Sequence, residues 1–233
     1  MRDSTKSPLR LGATVLRFIL ADAELELVPE DVAGHPQVRA HAKLQGRRPG
    51  ELLLDQNQHR QACKLLPDGE RRGRPDITHY TLLALLESPL CKDGGVEVAV
   101  HCRNGALLRI RSDTRLPRGE QRFQGLIAKV LRDGASQDAD PLLWSEGRKT
   151  PQEVLAEFGK GAVLRLDESG EQLPPRELMA RAEGGDLTLV LGGFPHGDFG
   201  DGWKAAAPAA VSIYKDPLNA WAVASECVAG CRV

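Results

Sequence analysis

The chain has 233 residues, 41% of them hydrophobic and only 4% aromatic, with a formal net charge of −1 at pH 7. That length allows one large domain or two small ones around a core of Leu, Val, Ile and Ala, and no apolar stretch is long enough to cross a bilayer, since Arg17 interrupts the most apolar early run. Five scattered cysteines (Cys63, Cys91, Cys102, Cys227, Cys231) contain no CxxC pair and have no nearby histidine to complete a metal set, so they read as reduced packing residues with no metal role.

The small net charge hides an asymmetry. Between Glu70 and Arg122 there are 10 Lys/Arg against 7 Asp/Glu, a net of +3, whereas between Asp133 and Asp201 there are 6 against 14, a net of −8. A polyanion could dock on the middle of the chain without any sign of it in the total.

Residues 1–12 carry no apolar leader and read as a flexible polar arm, with residues 13–233 as one folded domain and the cytoplasm as the expected compartment. A strand is expected over 13–22. Pro36 opens a short helix through Leu44 that carries Arg39 and Lys43, with Arg47 and Arg48 just beyond it. A second helical stretch, QNQHRQACKLL, contains His59 and ends at Pro67. The turn DGERRGRPD leads into a helix whose Ile77, Leu82, Leu83, Leu85 and Leu86 suit a well-buried position. Strands are expected over 96–101 and 106–111, joined through Asn104-Gly105, a strong hairpin signal. RFQGLIAKVLRD is an amphipathic helix, and 134–150 reads as a surface loop. The remainder alternates: helix 151–158, strand 162–166, helix 174–183, strands 187–191 and 211–214, helix 218–229. Such alternation implies a parallel sheet with helices on its faces.

Three blocks carry chemistry. The strands before Gly192-Gly193 and before Tyr214 each empty into a Gly/Pro-rich loop, the pattern of a nucleotide-like ligand held largely by main chain. In Arg71-Arg72-Gly73-Arg74-Pro75-Asp76, Pro75 forces Arg74 extended and Asp76 is expected at the helix N-cap; Asp76 either only caps, or also grips Arg74 and aims its guanidinium at a phosphate or base. In the segment from Thr114 to Phe123, Pro117 is expected at the first helical position. That would put Arg118 and Arg122 one turn apart with Arg115 just before them, either a solvated face or a phosphate site at a helix N-terminus. His196 and Asp198 read better as a satisfied loop histidine and its neighbour than as a general-base pair or metal ligands. No Ser-His-Asp set, P-loop or G-x-G-x-x-G is present.

The strings RRGRPDITHYTLLALLESPL, TRLPRGEQRFQGL, VLGGFPHGDF and SIYKDPLNAW, in that order, closely resemble the ribosome-biogenesis pseudouridine methyltransferases of the SPOUT class, and the amino-terminal stretch resembles their archaeal form. The resemblance implies an α/β fold, a SPOUT-type parallel sheet with helices on both faces and a C-terminal deep trefoil knot, in an obligate homodimer. It implies S-adenosylmethionine as cofactor, bound by main chain at Leu166, Gly192 and Gly197 and along Ile213, Tyr214, Lys215, Asp216, Pro217 and Leu218. It further implies methylation of N1 of a pseudouridine in small-subunit rRNA, with RNA contacts at Arg74, Arg115, Arg118 and Arg122, and leaves room for a small-subunit ribosomal protein as a further partner. Asp76 is then either a general base or the orienter of Arg74, the second being the better fit for a carboxylate tied to an arginine. The roles of His59 and His196 stay open. Two other readings are a non-catalytic RNA-binding assembly factor on the same fold, and a methyltransferase of this class acting on another RNA such as tRNA.

Overall fold

The computed structural model describes residues 15–137, 139–178, 181 and 185–230. The expected arm 1–12 and Cys231 lie outside the described residues. Among the described residues seven strands form one sheet: β1 (Leu16–Ala23), β2 (Val96–Cys102), β3 (Ala106–Ile110), β4 (Leu143–Arg148), β5 (Ala162–Gln172), β6 (Leu187–Gly192) and β7 (Ala210–Ser212). Their order is β4-β3-β2-β1-β6-β5-β7. The β2–β1–β6–β5–β7 block is parallel throughout, and β3 and β4 add antiparallel to one side of it.

The sheet is therefore mixed: the expected parallel block is extended by the antiparallel β2–β3 pair, which the Asn104-Gly105 turn joins as the hairpin read from sequence, and by β4. The correction is β4, which falls in the stretch expected to be a loop. As an edge strand with mostly half-exposed side chains, it lacks the apolar alternation that marks a strand in sequence.

β1 is covered on both sides, which accounts for its nearly continuous apolar run. Leu16, Phe18 and Leu20 face a core shared with helices α4 (Pro75–Leu86), α6 (Glu120–Asp133) and α10 (Ala220–Gly230), while Ile19 and Ala21 face a second core with α7 (Pro151–Phe158) and α9 (Asp201–Ala206). Arg17 is 4% exposed within this strand and is neutralised by Asp186 at 2.6 Å and Glu97 at 2.9 Å. Among the described cysteines, Cys63, Cys91, Cys102 and Cys227 are all buried.

A smaller core lies beside the sheet. It joins α1 (Glu30–Ala33), α2 (Pro36–Gln45), a 3-10 turn (Pro49–Glu51) and α3 (Gln56–Cys63) through Val32, Val38, Ala42, Leu54 and Ala62. α2 starts where Pro36 placed it and stops at Gly46, whose φ of 62° is the left-handed conformation glycine adopts freely. Short helices α5 (Pro89–Lys92) and α8 (Pro175–Leu178) complete the set, and the expected helix 174–183 runs partly over residues outside those described.

Candidate functional site

A cavity of about 670 Å³ opens at the carboxyl ends of β5, β6 and β7, the place where open parallel sheets take ligands. The backbone makes this opening. Leu166 and Glu171 of β5 both pair with Val211 of β7, so residues 167–170 leave the ladder, and Asp167, Glu168 and Ser169 line the crevice. At the end of β6, a Cβ on Gly192 would come within 2.7 Å of the Phe194 ring, and one on Gly193 within 2.7 Å of the Ala23 Cα. Bare glycine thus lets the chain turn sharply against β1, where Gly193 N–H donates to the Ala21 carbonyl at 2.7 Å. Gly197 has φ 85°, a conformation that strains any side-chain-bearing residue.

Eight of the nine residues expected at a cofactor line this cavity: Leu166, Gly192, Gly197, Ile213, Tyr214, Asp216, Pro217 and Leu218. Lys215 is not among the lining residues; its Nζ lies 3.8 Å from an Asp216 carboxylate oxygen. Asp167 lines it as well and was not expected. Burial opposes its charge, but hydrogen bonds from Ser169 and the Arg165 guanidinium hold its carboxyl below the usual range, so it stands ionised.

Arg74 and Ile77 close one side of the cavity. Arg74 itself occupies the N-cap of α4, Pro75 is the first helical residue, and Asp76, which was expected at the N-cap, lies inside the helix two positions past it. Its two carboxylate oxygens accept from Arg74 Nε at 2.8 Å and from a terminal Arg74 nitrogen at 2.7 Å. With both oxygens engaged on the guanidinium, Asp76 fixes its plane.

The second arginine block departs from expectation. α6 begins at Glu120 with Gly119 as its cap, so Pro117 and Arg118 precede the helix. The Pro117 carbonyl bonds His79 Nε2 at 2.7 Å and Leu116 is buried, which pins this segment to α4 as irregular chain. Arg115, Arg118 and Arg122 are exposed, and none lines the cavity. Arg118 sits 3.4 Å from Glu87, just past the far end of α4 from Arg74, and a 12-residue helix spans about 18 Å. Within one chain the four arginines do not converge.

Arg71, which sequence reading left without a role, bridges distant parts of the site. Its Nε donates to buried Glu24 at 2.7 Å, and a terminal nitrogen donates to the Asp198 carbonyl at 2.9 Å. His196 Nε2 contacts the Glu70 carbonyl at 3.3 Å, and the Asp198 carboxylate is taken by Lys204 at 2.6 Å, so the pair is no catalytic dyad. His59 is fully buried in the small core: the Asp55 N–H donates to its Nδ1 at 3.2 Å, and its Nε2 shares a proton with His41 Nδ1 at 2.9 Å. It does not line the cavity. Burial, reinforced by His41, pushes its pKa down to about 4.

The family model for the EMG1/NEP1 methyltransferase matches residues 18–232. The chain is 42% identical over 217 residues to a ribosomal RNA small subunit methyltransferase Nep1 of Thermococcus kodakarensis, covering 92% of this chain and 96% of that protein. It is 37% identical to the Staphylothermus marinus protein of the same name, with 92% and 94% covered. The crystal structure of Archaeoglobus fulgidus Nep1 bound to S-adenosylhomocysteine superposes with a TM-score of 0.80 at 34% identity, over 94% of this chain and 96% of that one. A match of this extent in sequence and in fold means that the chain belongs to the EMG1/NEP1 methyltransferase family.

Proposed function

We propose that this chain methylates N1 of a pseudouridine in small-subunit rRNA, with S-adenosylmethionine as donor, in the course of small-subunit assembly. The observation that carries the reading is the cavity at the ends of β5, β6 and β7, lined by the residues the family resemblance names for the cofactor. A relative of the same family has been crystallised with S-adenosylhomocysteine, the demethylated product of that donor.

The residues suit such a ligand. Leu166, Ile213 and Leu218 offer apolar surface for an adenine-sized ring, ionised Asp167 offers an acceptor for hydroxyls, and Gly192 and Gly197 leave main chain open to close approach. When bound, S-adenosylmethionine supplies a methyl on a positively charged sulfur. The chain then has to hold a nucleophilic nitrogen in line at about 3–3.5 Å from that methyl, so positioning supplies most of the rate. N1 must also lose its proton, which passes to solvent water, and the Arg74 guanidinium at the cavity wall favours the resulting anion. Asp76 orients Arg74 and takes no proton in this account. The target base has to leave its stack to reach the cavity.

The account includes a homodimer, which brings a partner's arginines beside each cavity; the separation of Arg118 from Arg74 along α4 supports it, since one chain cannot gather them. It also includes the C-terminal trefoil knot, a cytoplasmic setting and a possible ribosomal-protein partner. Among the described residues no helix is long and apolar enough to cross a membrane. Calorimetry with S-adenosylmethionine separates this enzyme from a non-catalytic assembly factor, which would give no binding heat. Light scattering should give a mass near twice 25.3 kDa.

A further inference from the structure

Helix α6 carries a glycine that nothing inside the chain accounts for. Gly125 lies in the interior of this 14-residue helix, on its exposed side, and a Cβ placed there would meet no atom within 4 Å. Its φ is not positive, so the backbone does not call for glycine either. Glycine at an exposed helix interior lowers stability relative to alanine.

The neighbours of Gly125 on that face are cations. Arg122, Gly125, Lys129 and Arg132 follow at steps of three and four residues, which places them on one stripe about 15 Å long. Among the described residues Arg122 is in no salt bridge, and Lys129 donates to the neutral Ser136 carbonyl at 2.9 Å while also lying near the Asp133 carboxylate. At the carboxyl end, Arg132 grips Asp133 at 2.7 Å, and with Lys129 and Arg47 nearby it holds that carboxyl below its ordinary range. Arg47 is thus close to the end of α6, although it belongs to the segment after α2. The acidic groups on this side are Glu120, Asp133 and Glu51, the last bound to Arg48 at 3.0 Å.

We infer that the exposed stripe of α6 is a track for the RNA sugar-phosphate backbone next to the modified loop, with Arg122, Lys129 and Arg47 as its cations and Gly125 as the point where that backbone lies closest to the helix. A polyanion matches the excess of cations along the stripe, and a missing side chain midway along it is what close seating of a backbone needs. The stripe also begins at Arg122, within the arginine block assigned above to RNA. The inference rests on the rRNA reading and extends it from the loop to the flanking stem.

The test compares a pseudouridine-bearing stem-loop with a loop-only oligonucleotide, using wild type, Gly125→Leu, Gly125→Ala and Lys129→Gln. Gly125→Leu and Lys129→Gln should each weaken stem-loop binding about tenfold, while affinity for the short oligonucleotide and for S-adenosylmethionine stays at the wild-type value. Lys129→Gln should also flatten the slope of log affinity against log salt by about 0.9, the double-strand value for one phosphate. Gly125→Ala should raise the melting temperature by about 2–4 °C and still weaken the stem-loop, which keeps the test decisive should the leucine variant misfold. Wild-type stem-loop affinity in Gly125→Ala and Lys129→Gln would make this an ordinary solvated face and overturn the inference. A change of molecular mass on Gly125→Leu would make it a protein interface and overturn it equally. Wild type that binds neither RNA nor cofactor would instead remove the methyltransferase reading, and this inference with it.

Discussion

The Arg71 guanidinium lies 4.0 Å over the ring of Phe194 while its Nε holds the carboxylate of Glu24, which is 1% exposed. One side chain thus ties the end of β1 to the loop that walls the cavity. The other Glu24 oxygen is buried with no hydrogen-bond partner, so Arg71 is the group that makes this carboxylate tolerable there.

Arg71→Ala should cost about 3–5 kcal/mol, the usual result of stranding a buried charge, and should also weaken cofactor binding. Burial raises the Glu24 pKa above 4.5, with Arg71 opposing the rise. A carboxyl raised in the folded state stabilises most below its unfolded pKa, and that stability is lost as pH rises through the folded value. Without Arg71 this loss moves toward neutrality, so the urea midpoint of the variant should rise more than that of wild type between pH 7.5 and 5. Glu24→Gln in the same chain should restore much of the stability but not the loop. Equal pH responses in wild type and variant would show that Glu24 does not depend on Arg71.

His59 makes the opposite pH prediction. Its folded pKa of about 4 lies below the ordinary 6.5, so its contribution is complete above pH 6.5 and is lost as pH falls toward 4. That difference corresponds to on the order of 3 kcal/mol. His59→Asn keeps an acceptor for the Asp55 N–H but cannot titrate. It should be less stable at pH 7 and lose less on acidification. Parallel stability curves for the two proteins would place the acid-sensitive group elsewhere.

These contacts mark the limit of what the sequence discloses. The Asn104-Gly105 hairpin, the start of α2 at Pro36 and the Arg74–Asp76 pair were legible because each depends on neighbours in the chain. The Gly192 and Gly197 turns were legible as turns because glycines directly after a short apolar run mark the end of a buried strand. Pro117 misled because local propensity favours a helix start there, whereas His79, 38 residues away, takes its carbonyl. Arg71 could not be read at all, since its partner Asp198 is 127 residues distant. His41 and His59 met only when two helices packed, and β4 was hidden by its half-exposed position at the sheet edge.

Gly197→Val tests the cofactor loop. At φ 85° a branched side chain is strained, and a Cβ there would lie 3.2 Å from an Arg71 terminal nitrogen. Titration calorimetry should show no S-adenosylmethionine binding by a protein that remains folded and dimeric, with Gly197→Ala intermediate. Wild-type affinity in both variants would move the cofactor away from this loop.

Asp76 is the residue whose role is most sharply posed. Because both its oxygens are occupied by Arg74, Asp76→Ala should lose RNA affinity, and removing an acidic residue from the first turn of α4 should cost about 0.3–1 kcal/mol. Were it a general base, Asp76→Asn would bind RNA normally and slow single-turnover transfer by roughly 10²–10⁴-fold. Filter binding and rapid-quench kinetics on the two variants decide between these outcomes, and the first is expected.

Mass spectrometry of the RNA product bears most directly on the central claim. Purified protein, S-adenosylmethionine and two small-subunit rRNA hairpins, one carrying pseudouridine and the other uridine at the target position, should yield a single methyl on N1 of the pseudouridine and none on the uridine hairpin. Equal methylation of both hairpins, methylation at another atom, or transfer only to tRNA would contradict the account.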